Sequence, residues 1–127
     1  MGDINSEIIS ENLKSKRIDL LSTHTKLSIP VINRMYKKMI NGIKFDDIKV
    51  SDNFIIDGHH RYISSILADI DLGSVPSCKT SATNVYEWHK VEFFDQEWDT
   101  ELKIKRMNEL DAKFNNISLE KIFELTK

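Results

Sequence analysis

The residues of this sequence that are best able to do chemistry stand together in one short stretch, Asp57-Gly58-His59-His60-Arg61. They follow an apolar, β-branched run at 54–56 and precede a segment with apolar residues at helical spacing. The order predicts a strand, a turn at the glycine and a helix. The first N–H groups of a helix have no partners within it and lie at the positive end of its dipole. The stretch therefore predicts an anion site, most naturally for phosphate.

Each residue of this turn has a role in such a site. Gly58 lets the backbone turn sharply and approach a ligand. Arg61 can hold a phosphate in a fork, and His59 and His60 add donors that ordinarily titrate near neutrality. Asp57 can cap the helix, bind a metal-bridged phosphate or act as a base. The alternative for each residue taken singly is a capped, solvated turn, and the spacing is too compact for the usual zinc patterns.

The surrounding pattern predicts a single α/β (α+β) domain over residues 1–127, with a core at about 22–98 and C-terminal helices at 99–127. Residues 22–28 are predicted to be a polar connection, and 85–98 a strand followed by a loop. The other predicted elements are a helix within 4–21 capped by Ser6, a helix from Pro30 to Gly42, a hairpin of strands 47–50 and 54–57, a helix over 61–70 ended by Leu72-Gly73, an edge strand near 75–79, a helix from Asp99 or Thr100 to about 114, and a last helix after Ser118.

Composition excludes several classes of protein. With 18 basic and 20 acidic residues the formal charge is −2, which gives no general attraction for nucleic acid or anionic membranes. The single cysteine, Cys78, rules out an internal disulfide framework and suits a reducing compartment. No apolar run approaches the ~18 residues of a membrane span. We expect a cytoplasmic protein, although Met1-Gly2 with Ser6 also matches the start of a myristoylation motif, a match common by chance.

The stretch "IIDGHHRYISSIL" resembles the DGHHR segment of the ParB/sulfiredoxin superfamily. The resemblance covers about residues 24–80, in which a helix ending in glycine leads to a strand hairpin and then to this turn. It implies a small mixed sheet with flanking helices. It also implies a nucleotide, ATP, ADP or CTP, with its phosphates held at Gly58, His59, His60 and Arg61 and with Mg²⁺ bridging them.

Within the superfamily, the DGHHR form is most similar to the free serine kinases. Partitioning ParB proteins have a GERR-type segment here, and sulfiredoxin has a cysteine where this chain has a histidine. The kinases use a glutamate upstream as catalytic base, but residues 22–34 contain no acid. The replacements left open are Asp46, Asp47, Glu7 and Glu11. Asp57, His59 and His60 are the candidate catalytic residues, and no metal ligand is predicted.

Two further segments are candidates for function. His24, with its polar neighbours at 22–26, belongs to the connection where relatives shape the nucleotide pocket, and it is the remaining candidate nucleotide-binding residue. Residues 86–98 interleave aromatic and acidic side chains. Such a surface suits a protein partner better than nucleic acid, which favours aromatics with cations; the alternative is that these aromatics belong to the core.

Three functions are compatible with these features. The first is a nucleotide-dependent kinase or NTPase that holds phosphates at the DGHHR turn. The second is a non-catalytic module that binds a nucleotide as a switch and docks a partner through 86–98. The third is a ParB-like nuclease, which the charge of −2 disfavours because a nuclease needs affinity for phosphates along a strand.

Overall fold

The structure is a computed structural model that describes residues 3–126, so the myristoylation-like match at Met1-Gly2 lies outside the described residues. The described chain contains five α-helices, five short β-strands and one turn of 3-10 helix. In chain order they are α1 (Ser6–Ser15), β1 (Lys26–Ser28), α2 (Ile29–Ile40), β2 (Ile48–Ser51), β3 (Phe54–Asp57), α3 (His59–Ala68), β4 (Ser74–Pro76), the 3-10 turn (Trp88–Lys90), β5 (Glu92–Phe94), α4 (Glu101–Asn115) and α5 (Leu119–Leu125).

The strands form two small sheets. One is mixed and has the order β3-β2-β4, with β2 antiparallel to β3 and parallel to β4. The other is the parallel pair β1-β5. A single bridge between Leu21 and Phe54 joins the segment before β1 to β3. The predicted α+β class with a small mixed sheet and flanking helices is therefore confirmed.

The main core lies where α2 and α3 pack on each other and on the strands. Its fully buried members are aliphatic side chains from α1, β1, α2, β3 and α3: Ile9, Leu27, Ile32, Ile55 and Ile63. Ser64 of α3 donates from its hydroxyl to the carbonyl of Ile32, 3.0 Å away, so a polar contact fixes the two helices at their buried faces. This packing holds the start of α3 against the segment that contains β1.

The C-terminal helices form a smaller second cluster with the loop after α2. Ile43, Ala112 and Ile122 are buried together there. The side chain of Asn115 bonds both the N–H and the carbonyl of Lys44, at 2.6 and 3.0 Å. These contacts set α4 opposite the start of α3. None of the helices within residues 3–126 has the length and apolar content needed to cross a bilayer.

Several predicted boundaries are confirmed. The hairpin of β2 and β3 is present, β4 is an edge strand, and Pro30 and Gly42 flank α2 as expected. Thr100 and Ser118 cap α4 and α5 by accepting hydrogen bonds from backbone N–H groups three residues on. These features depend on local turn and cap chemistry, which the sequence displays directly.

Other predictions were wrong. The first helix lies within 4–21 as predicted, but its cap is Asn5 rather than Ser6. The helix α3 begins at His59 rather than Arg61 and ends at Ala68 before Asp69, which has a left-handed φ of 55°. The connection at 22–28 contains β1 and is not merely polar loop, because β1 pairs with β5 from far along the chain.

Candidate functional site

The turn between β3 and α3 requires glycine for two reasons. Gly58 has a φ of +98°, in the left-handed region that side chains rarely adopt. A Cβ at this position would lie 2.7 Å from Cγ2 of Ile48 and 2.9 Å from Nη2 of Arg61. The backbone thus reverses where no larger residue fits, and no side chain caps the first N–H groups of α3.

His59 is buried at the first position of α3, with 2% of its surface exposed. Its Nε2 accepts a hydrogen bond from the backbone N–H of Thr23 at 3.0 Å, while the Thr23 hydroxyl donates to the carbonyl of Ile55 at 2.7 Å. Because Nε2 is an acceptor, this network assigns the ring proton to Nδ1. Among the described residues Nδ1 has no hydrogen-bond partner, although it is buried. The site therefore holds an unused donor.

His60 makes the corresponding bond to the other end of the same segment. Its Nε2 accepts from the backbone N–H of Ser28 at 3.0 Å. The ring also meets Trp98 edge-on, with centroids 5.5 Å apart. The two histidines thus tie residues 23–28, including β1, to the start of α3. Each ring uses its acceptor nitrogen in the fold and keeps an N–H at Nδ1.

Burial changes the titration of both histidines. It lowers the pKa of His59 to about 3, with smaller contributions from His24 and His60. Burial also lowers the pKa of His60 to about 4, against the opposing effect of the Asp99 carboxylate. The expectation that these rings titrate near neutrality is therefore corrected, because the lowered pKa values leave both rings neutral at physiological pH.

Arg61 is partly engaged by the backbone. Its Nη1 donates to the carbonyls of Asp46 and Asp47, at 3.2 and 3.1 Å. Its Nη2 lies 3.5 Å from Oδ2 of Asp57, an ion pair with one exposed partner. Asp57 does not cap α3, since Gly58 is the cap residue and no side chain bonds the helix start. Arg61 thus fixes the segment before β2 at the turn.

A cavity of about 710 Å³ lies between this turn and α4. The whole DGHHR turn lines it, together with His24, whose ring stacks on that of His59 at 3.9 Å. The opposite wall is apolar and comes from α2, the loop after it and α4: Met35, Phe45, Met107, Leu110 and Phe114. The cavity therefore has a polar floor and an apolar wall.

The charges around this cavity come from residues that the sequence reasoning mostly missed. Lys44, Asp46, Asp111 and Lys113 line it beside the turn. Asp111 is paired with Lys38, whereas neither Lys44 nor Lys113 forms an ion pair within residues 3–126. No local pattern marks these lysines, because they meet only through the packing of α4 on the loop after α2. Of the candidate bases, Asp46 lines the cavity and Glu7 and Glu11 do not.

The segment 86–98 is mostly part of the fold. Trp88 is buried and donates from Nε1 to the carbonyl of Leu20 at 2.7 Å. Phe93 packs against the main core, and Glu97 pairs with Arg34. Trp98 is the large apolar side chain of this segment that stays exposed, at 44%. A docking surface for a protein partner here stays a prediction that depends on Trp98.

The carboxylates at the cavity suit Mg²⁺ only if other ligands complete its coordination shell. Within residues 3–126 no three histidine, cysteine or acidic side chains gather to hold a metal ion by themselves. Magnesium in nucleotide sites commonly takes one or two carboxylates and completes its shell with phosphates and water. Asp46 and Asp57 line the cavity and fit that arrangement.

Comparison with known proteins finds no matching family model, no matching curated protein and no matching solved structure. The resemblance to the ParB/sulfiredoxin superfamily, and the site roles that it implies, stay predictions.

Proposed function

We propose that this protein binds a nucleoside di- or triphosphate in the cavity between the DGHHR turn and α4, with the phosphates at the start of α3. The single observation that carries this proposal is the buried Nδ1–H of His59, which has no partner among the described residues. A buried donor without a partner costs about 1–3 kcal/mol of stability. A phosphate oxygen would remove that cost at the position where a helix start favours an anion.

The other groups at this end of the cavity suit an anion as well. The left-handed turn at Gly58 leaves the first N–H groups of α3 without a capping side chain. Lys44 and Lys113 also line the cavity, and neither is neutralised by an ion pair within residues 3–126. Arg61 uses Nη1 for two carbonyls, which holds its guanidinium in place. An anchored guanidinium and two unpaired lysines favour a ligand with several negative charges.

The apolar wall suits a nucleobase. A volume of about 710 Å³ accommodates a nucleotide, because ligand cavities commonly measure about 300–1,000 Å³. Phe45 and Phe114 offer aromatic faces, and stacking on an aromatic side chain contributes about 1–3 kcal/mol per base. Phe114 is 59% exposed, an unfavourable arrangement that a stacked base would improve.

Phosphoryl transfer or hydrolysis is the reaction that we propose for the bound nucleotide, be it ATP, ADP or CTP. Mg²⁺ held through Asp57 and Asp46 would neutralise part of the phosphate charge. Arg61 and the start of α3 would stabilise the charge that develops on the transferring group. His59 and His60 would position the phosphates as neutral donors, because their acceptor nitrogens are bonded to Thr23 and Ser28.

A second function, nucleotide binding without catalysis, is favoured by the same hydrogen bonds. With Nε2 occupied and the pKa lowered, neither histidine is free to take a proton from a substrate. That leaves a carboxylate, Asp57 or Asp46, as the base of any catalytic version. The nuclease is less favoured, since the cavity lining contains as many carboxylates as cationic side chains, three of each, and offers no basic track for a strand.

Thermal denaturation with nucleotides tests the proposal. ATP, ADP, CTP and GTP are added singly, with and without Mg²⁺, to the protein and to two variants. A ligand at about 100 times its Kd adds about 2.7 kcal/mol of stability. We expect at least one nucleotide to raise the Tm, and Lys113→Ala to reduce that rise while Lys105→Ala, on the same helix but away from the cavity, does not. No shift with any nucleotide would sink the proposal.

Turnover separates the two versions. Release of phosphate or of a nucleoside diphosphate at saturating nucleotide and Mg²⁺, abolished by Asp57→Asn, would establish the enzyme. Binding without turnover would establish the switch.

A further inference from the structure

A second, smaller chamber opens beside the cavity. It measures about 370 Å³ and lies between α2 and α4, with Trp98 at its rim. The two spaces are neighbours, because they share lining residues from α2, the loop after it, α3 and α4: Met35, Phe45, His60, Met107 and Asp111. A molecule in this chamber would lie next to a ligand held at the DGHHR turn.

The charged side chains of this chamber already have ion-pair partners, and Arg34 pairs with Glu97, outside the chamber, as well as with Asp99. Lys38, which is 4% exposed, holds Asp111 at 2.6 Å. Asp99 binds Arg34 and Lys103, each at 3.0 Å. A charged ligand would have to displace one of these pairs, and breaking the buried pair of Lys38 and Asp111 is costly. The chamber therefore suits an uncharged molecule.

One residue of the chamber's lining has a polar atom without a partner among the described residues. Asn108 lies in the middle of α4 and is 2% exposed, and its Oδ1 is buried without a hydrogen bond. Asparagine is a poor helix former, and a buried acceptor without a donor destabilises the fold. The atom that would satisfy Oδ1 must be a donor, such as a hydroxyl.

The remaining lining residues indicate what the uncharged part of the ligand contacts. Val31, Ile104 and Met107 are apolar, and the half-exposed indole of Trp98 stands at the opening beside His60. An aromatic face at a rim packs well against flat C–H surface while its N–H stays available. Paired charges, one free acceptor and an aromatic rim together suit a compact molecule that carries hydroxyl groups and no charge.

We propose that this chamber is a binding site for a small uncharged polyhydroxyl compound, a sugar or polyol, with one hydroxyl donating to Oδ1 of Asn108. The inference does not depend on nucleotide binding, and it is tested without nucleotide.

The binding test uses the two tryptophan indole N–H signals of the protein in NMR spectra. D-ribose, D-glucose, myo-inositol and glycerol are titrated singly, with D-gluconate as the charged counterpart of glucose. We expect at least one neutral compound to move the Trp98 signal saturably while the buried Trp88 signal stays in place, and gluconate to move it less. Asn108→Leu should abolish the response. No saturable shift with any neutral compound, or an equal shift with gluconate or with Asn108→Leu, would overturn the proposal.

A second measurement needs no ligand. Asn108→Leu removes the unpartnered acceptor, so it should raise the Tm of the free protein by a few degrees. Asn12→Leu is the matched control, because it brings the same gain in helix propensity. It also removes a hydrogen bond, since the Asn12 side chain donates to the carbonyl of Ile8 at 2.8 Å. A lower Tm for Asn108→Leu than for the unaltered protein would show that Oδ1 is satisfied within the fold, and would also overturn the proposal.

Discussion

Replacing His59 by its two partial isosteres tests the central step of the argument. Glutamine can place its amide oxygen near the position of Nε2, so His59→Gln keeps an acceptor for the backbone N–H of Thr23 and loses the donor at Nδ1. Asparagine can place an amide N–H near the position of Nδ1, so His59→Asn keeps the donor and loses the acceptor. The two variants therefore separate ligand binding from folding.

The expected magnitudes follow from the two hydrogen bonds. A bond to a charged group contributes about 1.5–3 kcal/mol, so His59→Gln should weaken nucleotide binding by about 10–150-fold. Its stability should change little, because the bond to Thr23 is kept and the buried Nδ1–H without a partner is removed. His59→Asn should lose about 1–3 kcal/mol of stability, since the N–H of Thr23 is left unpaired, and should bind nucleotide nearly as tightly as the original.

The assays are calorimetric titration with the nucleotide that gives the largest thermal shift, and urea denaturation, both near neutral pH. His89→Gln is the control, because His89 is an exposed histidine outside the cavity. Equal loss of affinity in His59→Gln and His59→Asn would mean that the ring acts by packing against His24 rather than by donating. Unchanged affinity in His59→Gln would refute the assignment of Nδ1–H as a phosphate donor.

Three further predictions concern the same site. Burial lowers the pKa of His59 to about 3 and of His60 to about 4, below the ~6.5 of an unfolded histidine. The free energy of unfolding should therefore fall as pH drops from about 6.5 toward 4, by about 1.4 kcal/mol per pH unit for each ring. Urea midpoints that stay constant over this range would contradict this prediction. Gly58→Ala should destabilise the protein more than Gly42→Ala, because both glycines have positive φ but of the two only Gly58 lacks space for a Cβ. The clash should add about 1–3 kcal/mol to the loss of stability. Equal urea midpoints for the two variants would refute this steric reason. Phe114→Ala should weaken nucleotide binding by about 5–150-fold if the base stacks there, whereas equal Kd values for the variant and the original would place the base elsewhere.

The sequence alone determined the features that depend on a few neighbouring residues. The glycine after a β-branched run predicted the strand, turn and helix around Gly58, and this element is present. Thr100 and Ser118 marked the starts of two helices through local capping. The hairpin and the α+β class followed from the alternation of short apolar runs, because such patterns are set by the period of each element.

The sequence could not determine what distant residues do to one another. The two histidines were expected to titrate near neutrality, but burial under Thr23 and Ser28 keeps them neutral. The strand β1 exists because β5, more than sixty residues away, pairs with it. A strand with so distant a partner has no local signature.

The cavity itself is a product of tertiary structure. Its floor is the DGHHR turn, which the sequence identified, whereas its wall comes from α4 and its unpaired lysines from two separate segments. These segments come together because Ala112 and Ile122 pack against Ile43, in the loop after α2. The residue types at the turn indicate an affinity for anions, but the volume, the apolar wall and the orphan donor of His59 depend on how the helices pack, which no short stretch of sequence encodes.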